Sequence, residues 1–413
     1  MMKRVVITGM GLITSLGHSV NETWEALCDG RSGIGPITNF DASQYPVRFA
    51  GEVREFDASR YLSHKDARRN DPFTHLAVAA SREALAQAHL SITEQLAPEV
   101  GVCIGSGIGG LMTLHEQFAV LHEKGPARVS PFAVPMLMIN GAAGMVSLLT
   151  GAQGPTWAAV SACATGGNAL GEAAETIRRG AARAMIAGGA EKAVTPLAMA
   201  AFANMHALSR QNDDPQRASR PFDAERDGFV MGEGAGMLIL EDLDFALERH
   251  APILAELVGY GSTADAYHVT EPAPGGEGLV RAIERALQSA GLHPEEVDYI
   301  NAHGTATRLN DTMETQAVKT ALGSHAYHVA ISSTKSMLGH TFGAAGGIEA
   351  AIAVQSIVHG IIPPTINLDH PDPTCDLDYV PHQARRRAVR VALSNSMGFG
   401  GHNTCLAFKR YEP

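Results

Sequence analysis

The chain has 413 residues, 45% of them hydrophobic and 18% charged, and a formal net charge of −11. That apolar content excludes an intrinsically disordered chain, and the acidic balance argues against a nucleic-acid partner. Five cysteines, an odd number without a C-x-x-C pair, supply neither a disulfide framework nor a zinc motif.

In chain order, Lys3–Thr8 is the first strand-like run. Its apolar stretch is too short for a signal peptide, which predicts a cytoplasmic protein opening on a strand. Helical spacing follows over Thr74–His89, then a strand over Val100–Ile104. Gly105, Gly107 and Gly110 satisfy G-x-G-x-x-G, but no acidic residue ends a second strand about 20 residues on, so no dinucleotide site is expected. Residues Val129–Gly171 contain no Asp, Glu, Lys or Arg. Pro131, Pro135, Gly141, Gly144, Gly151 and Gly154 interrupt them, short of the roughly 20 apolar residues that span a membrane. The stretch reads as buried between protein surfaces: in a core, at a subunit interface, or both.

Further strands are predicted at Thr156–Ser161, Arg183–Ala187, Met237–Glu241, Val297–Asn301, Val329–Ser333, Arg390–Leu393 and Thr404–Lys409, with a helix over Glu277–Ala290. Such alternation predicts a layered α/β architecture. The Pro/Gly-rich run Glu271–Gly276 reads as a loop inside a domain.

Three strand exits carry reactive side chains. Cys163 follows Val160-Ser161-Ala162 and precedes an Ala-rich helical stretch. A thiol at a helix N-terminus is expected to favour the thiolate. His303 ends the run Val297–Ala302, and Lys335 and His340 follow Ser332-Ser333-Thr334. Loops at strand ends are where α/β proteins place their chemistry. A faint repeat at an offset of 180 residues matches Gly166-Gly167 to Gly346-Gly347, Ile177 to Ile357 and Gly180 to Gly360. It suggests a duplication in which a helix follows each reactive turn.

On Ala162-Cys163, Asn301–Thr305, Lys335–His340 and Gly398–Asn403, the chain resembles the elongating β-ketoacyl-[acyl-carrier-protein] synthases of KAS I/II type. Gly105–Gly110 and Ser219–Asp223 are most similar to the KAS II subgroup, and the resemblance runs over essentially the whole chain. It implies the thiolase fold, α/β, with duplicated halves in a five-layered α-β-α-β-α arrangement. Residues 1–250 would form the half with Cys163, and residues 251–413 the half with His303, Lys335 and His340. It also implies a homodimer joined through the uncharged stretch. The activity implied is decarboxylative Claisen condensation of an acyl group with malonyl-carrier protein in fatty acid elongation. A polyketide-type ketosynthase with the same chemistry is the alternative.

The resemblance further implies residue roles. Cys163 is the nucleophile, and the backbone N–H groups of Cys163 and Phe399 form the oxyanion hole. His303 and His340 donate through Nε2 to the malonyl thioester oxygen, and Lys335 keeps them oriented and neutral. Asp311 and Glu314 support the site, with Glu314 pairing to Lys335 through water; for Asp311 a plain helix N-cap is the other reading. Thr305 and Thr307 contact the pantetheine arm. Ile108 and Phe202 line the acyl pocket, and Ala133 stands where an aromatic residue often reaches into the partner's pocket. Lys65, Arg68 and Arg69, with Arg128 as an addition to the patch, would dock an acidic acyl carrier protein. Asn301, Glu349 and Asn395 match a monovalent cation site, so the only cofactor expected is a structural Na+ or K+. Met397 and His402 depart from the usual Phe and Thr, which bears on gating and chain length.

Overall fold

The computed structural model describes residues 3–413. One 10-stranded sheet holds β1 (Val5–Thr14), β2 (Val100–Gly105), β3 (Thr156–Trp157), β4 (Ala184–Glu191), β5 (Gly234–Asp242), β6 (Ala255–Ala264), β7 (Tyr299–Asn301), β8 (Ala330–Ser332), β9 (Val391–Gly398) and β10 (His402–Lys409). Their spatial order is β8-β7-β9-β10-β6-β1-β5-β4-β2-β3. The two sides mirror each other. β1 meets β6 antiparallel at the centre, through Val6↔Glu256 and Ile7↔Ala255. Outward from β1, the antiparallel pairs β1–β5 and β5–β4 lead to the parallel pairs β4–β2 and β2–β3. Outward from β6, the antiparallel pairs β6–β10 and β10–β9 lead to the parallel pairs β9–β7 and β7–β8.

Six helices complete the layers: α1 (Pro72–Gln87), α2 (Gly141–Thr150), α3 (Thr165–Arg178), α4 (Glu277–Ala290), α5 (Arg308–Leu322) and α6 (Ala345–His359). α3 and α6 lie between the two half-sheets, α1 and α2 cover the first half, and α4 and α5 cover the second. This is the five-layered thiolase arrangement. α6 buries residues on all its faces, as a helix enclosed by protein must.

The duplication extends to unusual backbone. Short turns over Ala162–Ala164 and Phe342–Ala344 lead into α3 and α6, and both begin at a positive φ: 50° at Ala162 and 48° at Phe342. The two helix starts touch. A Cβ on Gly166 would sit 2.5 Å from Gly347 N, and one on Gly346 2.3 Å from Gly167 N. Glycine is required there so that both reactive turns can meet at the centre.

The strand β6 was not expected from sequence, because Gly259 and Gly261 dilute its β signal. Those glycines let α4 lie flush on the strand: Cβ atoms there would approach Ala286 O at 2.1 Å and Ala282 O at 1.9 Å. Gly9 and Gly11 on β1 stand in the same relation to Ala84 O and Ala80 O of α1, at 2.1 and 1.9 Å. The predicted strand Thr156–Ser161 shortens to Thr156–Trp157, and the chain then bends towards Cys163. Among the described residues, no helix is long and apolar enough to cross a membrane.

Candidate active site

The strand exits converge on one cavity of about 720 Å³. Cys163, His303, His340 and Phe399 line it, together with Ile108, Phe202, Thr305, Thr307 and Met397. Cys163 and the two histidines are buried, whereas Phe399 is exposed at the cavity wall. The glycine turn carrying Phe399 abuts the nucleophile's backbone: a Cβ on Gly398 would lie 2.4 Å from Ser161 O and 3.0 Å from Cys163 N.

The thiol is not the thiolate that its position before a helix suggested. Burial pushes Cys163 up to about 12, against the opposing pull of Lys335 and of the backbone N–H groups of Phe399 and Cys163 itself. Desolvation shifts a fully buried group by as much as about 3–5 pKa units, whereas a helix terminus contributes about 0.3–1 kcal/mol. Burial thus favours the protonated thiol at Cys163. The same two N–H groups point at the sulfur side of the cavity, where an oxyanion formed on an attached carbonyl would need donors.

His303 and His340 meet edge to face, with ring centroids 5.3 Å apart. Burial, then the charge of Lys335, holds both well below the ordinary histidine range, with His340 adding to the effect on His303. That direction favours the neutral form of both rings. Their Nδ1 atoms are buried without a hydrogen-bond partner among the described residues. An orphaned N–H is costlier to bury than an orphaned acceptor. The buried, unpartnered Nδ1 atoms therefore favour the tautomer that carries the proton on Nε2.

Lys335 lies behind the histidines, buried, and its ammonium pairs directly with Glu349. The expected Glu314 is within electrostatic reach of Lys335 but makes no direct ion pair with it. Glu314 instead accepts from His303 N and Gly304 N at 2.8 Å each, and from Asn395 Nδ2 at 3.3 Å. The reason is local: past β7 these N–H groups have no strand partner, and the α5 carboxylate supplies the acceptor. Asp311 is not a helix cap either. The N-cap of α5 is Thr307, and Asp311 accepts from Phe222 N at 2.9 Å and faces the buried Arg226 Nε at 3.4 Å. Arg226 also donates to Thr307 O and Arg308 O, both at 3.2 Å. This network holds the segment bearing Thr305 and Thr307, whose hydroxyls are 3.1 Å apart.

Phe202 stacks on Phe342 at 5.3 Å, forming an aromatic wall opposite Ile108. Ala133 does not line this cavity; it is buried in the helix Ala133–Leu137. Val134, 67% accessible, and Pro135 are the exposed residues of that turn. Asn301 Oδ1, Asn395 Oδ1 and Glu349 Oε2 are buried oxygens without partners among the described residues, as is Ser394 Oγ. Lys65, Arg68 and Arg69 are exposed around the short helix His64–Ala67, and the Arg69 guanidinium lies over the Phe132 ring at 4.3 Å. Arg128 is exposed as well.

Sequence reasoning missed two elements. Asp265 ties the loop after β6 to the glycine turn: Asp265 N donates to Gly401 O at 2.8 Å, Asn403 Nδ2 donates to Asp265 Oδ1 at 2.7 Å, and Gly400 N donates to Val269 O at 2.6 Å. Glu191, at the end of β4, is the other. An acidic residue ending a strand carries no distinctive sequence signal.

Comparison with known proteins agrees with this geometry. Residues 2–246 match the Beta-ketoacyl synthase, N-terminal domain, and residues 254–369 the Beta-ketoacyl synthase, C-terminal domain. The chain is 57% identical over 410 residues to 3-oxoacyl-[acyl-carrier-protein] synthase 2 of Synechocystis sp., covering 99% of both chains. It is 51% identical to the protein of that name in Staphylococcus aureus, again over 99% of both. Among solved structures it superposes on the ishigamide ketosynthase/chain length factor, with TM-score 0.92, 37% identity and full coverage of both chains. It is also similar, with TM-score 0.91, 34% identity and full coverage of both, to a structure of a type II PKS acyl-carrier protein in complex with its ketosynthase. The two domain matches and these full-length similarities show that the chain belongs to the beta-ketoacyl synthase family.

Proposed function

We propose that this protein is a 3-oxoacyl-[acyl-carrier-protein] synthase that elongates fatty acyl chains. The observation that carries this is one cavity holding a thiol and two neutral imidazoles, with an apolar wall beside them. Cys163 Sγ attacks the thioester of the loaded carrier protein, its proton passes to the departing pantetheine sulfur, and the acyl group remains on the enzyme. The N–H groups of Cys163 and Phe399 hold the oxyanion. The malonyl C–C bond then breaks, CO₂ leaves, and the electron pair passes into an enolate whose oxygen accepts from His303 and His340. The enolate carbon attacks the acyl-Cys163 carbonyl and expels the thiolate, which regains a proton from solvent. Lys335 acts as a positioning residue, and its charge keeps both imidazoles unprotonated.

The relatives 51–57% identical carry the name 3-oxoacyl-[acyl-carrier-protein] synthase 2, whereas the ketosynthases with polyketide or chain-length-factor descriptions are 26–37% identical. That favours fatty acid elongation over the polyketide alternative. Acyl- and malonyl-loaded carrier proteins of graded length, with products followed by mass, test the reading. Absence of any 3-oxoacyl product would overturn it, and a preference for 3-oxo primers over saturated ones would favour the alternative.

The partners in this reading are the acyl carrier protein, met at Lys65, Arg68 and Arg69, and a second copy of the chain, in the cytoplasm. Phe118, Val134, Met138, Leu148 and Val160 are exposed apolar side chains in and beside the uncharged stretch, and β3 is an open sheet edge. Such a face suits self-association. The halves divide at residue 250, in the link between β5 and β6. The oxygens of Asn301, Asn395 and Glu349 would hold a Na+ or K+ ion that stiffens the floor beneath Lys335.

A further inference from the structure

Glu191 is fully buried at the end of β4, yet none of the steps above uses it. Its carboxylate accepts four hydrogen bonds. Three come from the loop after β2: Ser106 Oγ at 2.6 Å, Gly107 N at 2.7 Å and Ile108 N at 3.3 Å. The fourth comes from Gly343 N, at 3.0 Å, in the other half of the molecule. Gly343 follows Phe342, which lies 4.9 Å from the His340 ring and stacks on Phe202. One carboxylate thus joins the acyl-pocket residue Ile108 to the segment that carries His340.

The junction is tight. A Cβ on Gly343 would lie 2.2 Å from Gly107 N and 2.8 Å from Glu191 Oε2, and one on Gly107 3.0 Å from the same oxygen. Both glycines leave room for the carboxylate and for each other. In the second half, Glu314 clamps His303 N and Gly304 N in a comparable way, but both of its backbone donors belong to its own half. Burial raises Glu191 to about 7, so the protein tolerates an unfavourable carboxylate here rather than an apolar side chain.

We infer that Glu191 is a positioning residue that locks the Ile108 loop to the His340 segment, so that the acyl pocket and the decarboxylation site are held in one geometry. The inference rests on the condensing reading. Glu191→Gln preserves shape but places an amide NH₂ against backbone donors, which releases one side of the clamp. With acyl-Cys163 formation and malonyl decarboxylation measured separately, decarboxylation should fall by about tenfold or more, since a misplacement of about 1 Å costs on the order of 10²-fold. Acylation by short primers should change far less. Discrimination between short and long primers should weaken, because Ile108 is no longer held. Glu191→Asp, which retains the charge, should recover part of the decarboxylation rate. Equal losses in both steps, an unchanged chain-length profile, or no difference between the Gln and Asp variants would overturn the clamp. Failure of the wild-type protein to acylate or decarboxylate at all would overturn the condensing reading instead.

Discussion

Lys335 and Glu349 form a buried ion pair beside His303 and His340. Its charge is one reason both imidazoles stay neutral. Removing the lysine alone strands a buried carboxylate, at a cost of about 3–5 kcal/mol. Lys335→Met should therefore lower stability by that order in denaturant titrations, and Lys335→Met with Glu349→Gln should recover much of it. Without the positive charge, the imidazole pKa values move up towards the ordinary histidine value. Imidazolium then forms at higher pH, so the acid limb of decarboxylation should shift upward in the double variant. An unmoved limb would show that Lys335 exerts no charge effect on the site.

Cys163→Ala should abolish the acyl-enzyme adduct and condensation while leaving the circular dichroism spectrum intact. Because burial holds the wild-type thiol protonated, alkylation by iodoacetamide at pH 7 should be slow for a cysteine at the start of a helix. Rapid alkylation would contradict the protonated resting state.

His303→Ala and His340→Ala should each slow malonyl decarboxylation by about 10²–10³-fold, the usual cost of one oxyanion donor. Transfer of the acyl group to Cys163 should suffer much less, as measured by intact-protein mass. Wild-type decarboxylation in either variant would remove the two-histidine role.

Reversing the charge of Arg68 and Arg69 should raise KM for carrier-protein substrates and flatten its salt dependence, with small thioester substrates little affected. Both residues are exposed, so the fold should tolerate the change. Parallel losses on both substrate kinds would indicate damage rather than lost docking.

Ile108→Phe should retain short primers and reject long ones, since overpacking a filled wall costs about 1–3 kcal/mol. The complementary test places a larger aromatic side chain at Ala133 and adds Val134, because Val134 is the more exposed of the two in the single chain. Val134→Phe should shorten the preference if the partner lines the pocket. Unchanged chain-length profiles in both variants would place the acyl chain elsewhere.

The sequence by itself determined the reactive set and the duplication. Cys163, His303 and His340 each leave a strand-like run among small residues, and Gly166-Gly167 repeats at Gly346-Gly347. Short, local patterns of this kind are written in consecutive residues. What the tertiary structure decided is of another kind. Glu349 pairs directly with Lys335, burial favours the thiol over the thiolate at Cys163, and Glu191 ties Ile108 to Gly343. β6 exists although its glycines dilute the strand signal, because α4 lies directly on them. Each depends on which chemically similar group is brought close by packing between distant segments, and on how much water that packing removes. Coulombic pairing and desolvation vary with separation and burial in space, and neither is encoded in spacing along the chain.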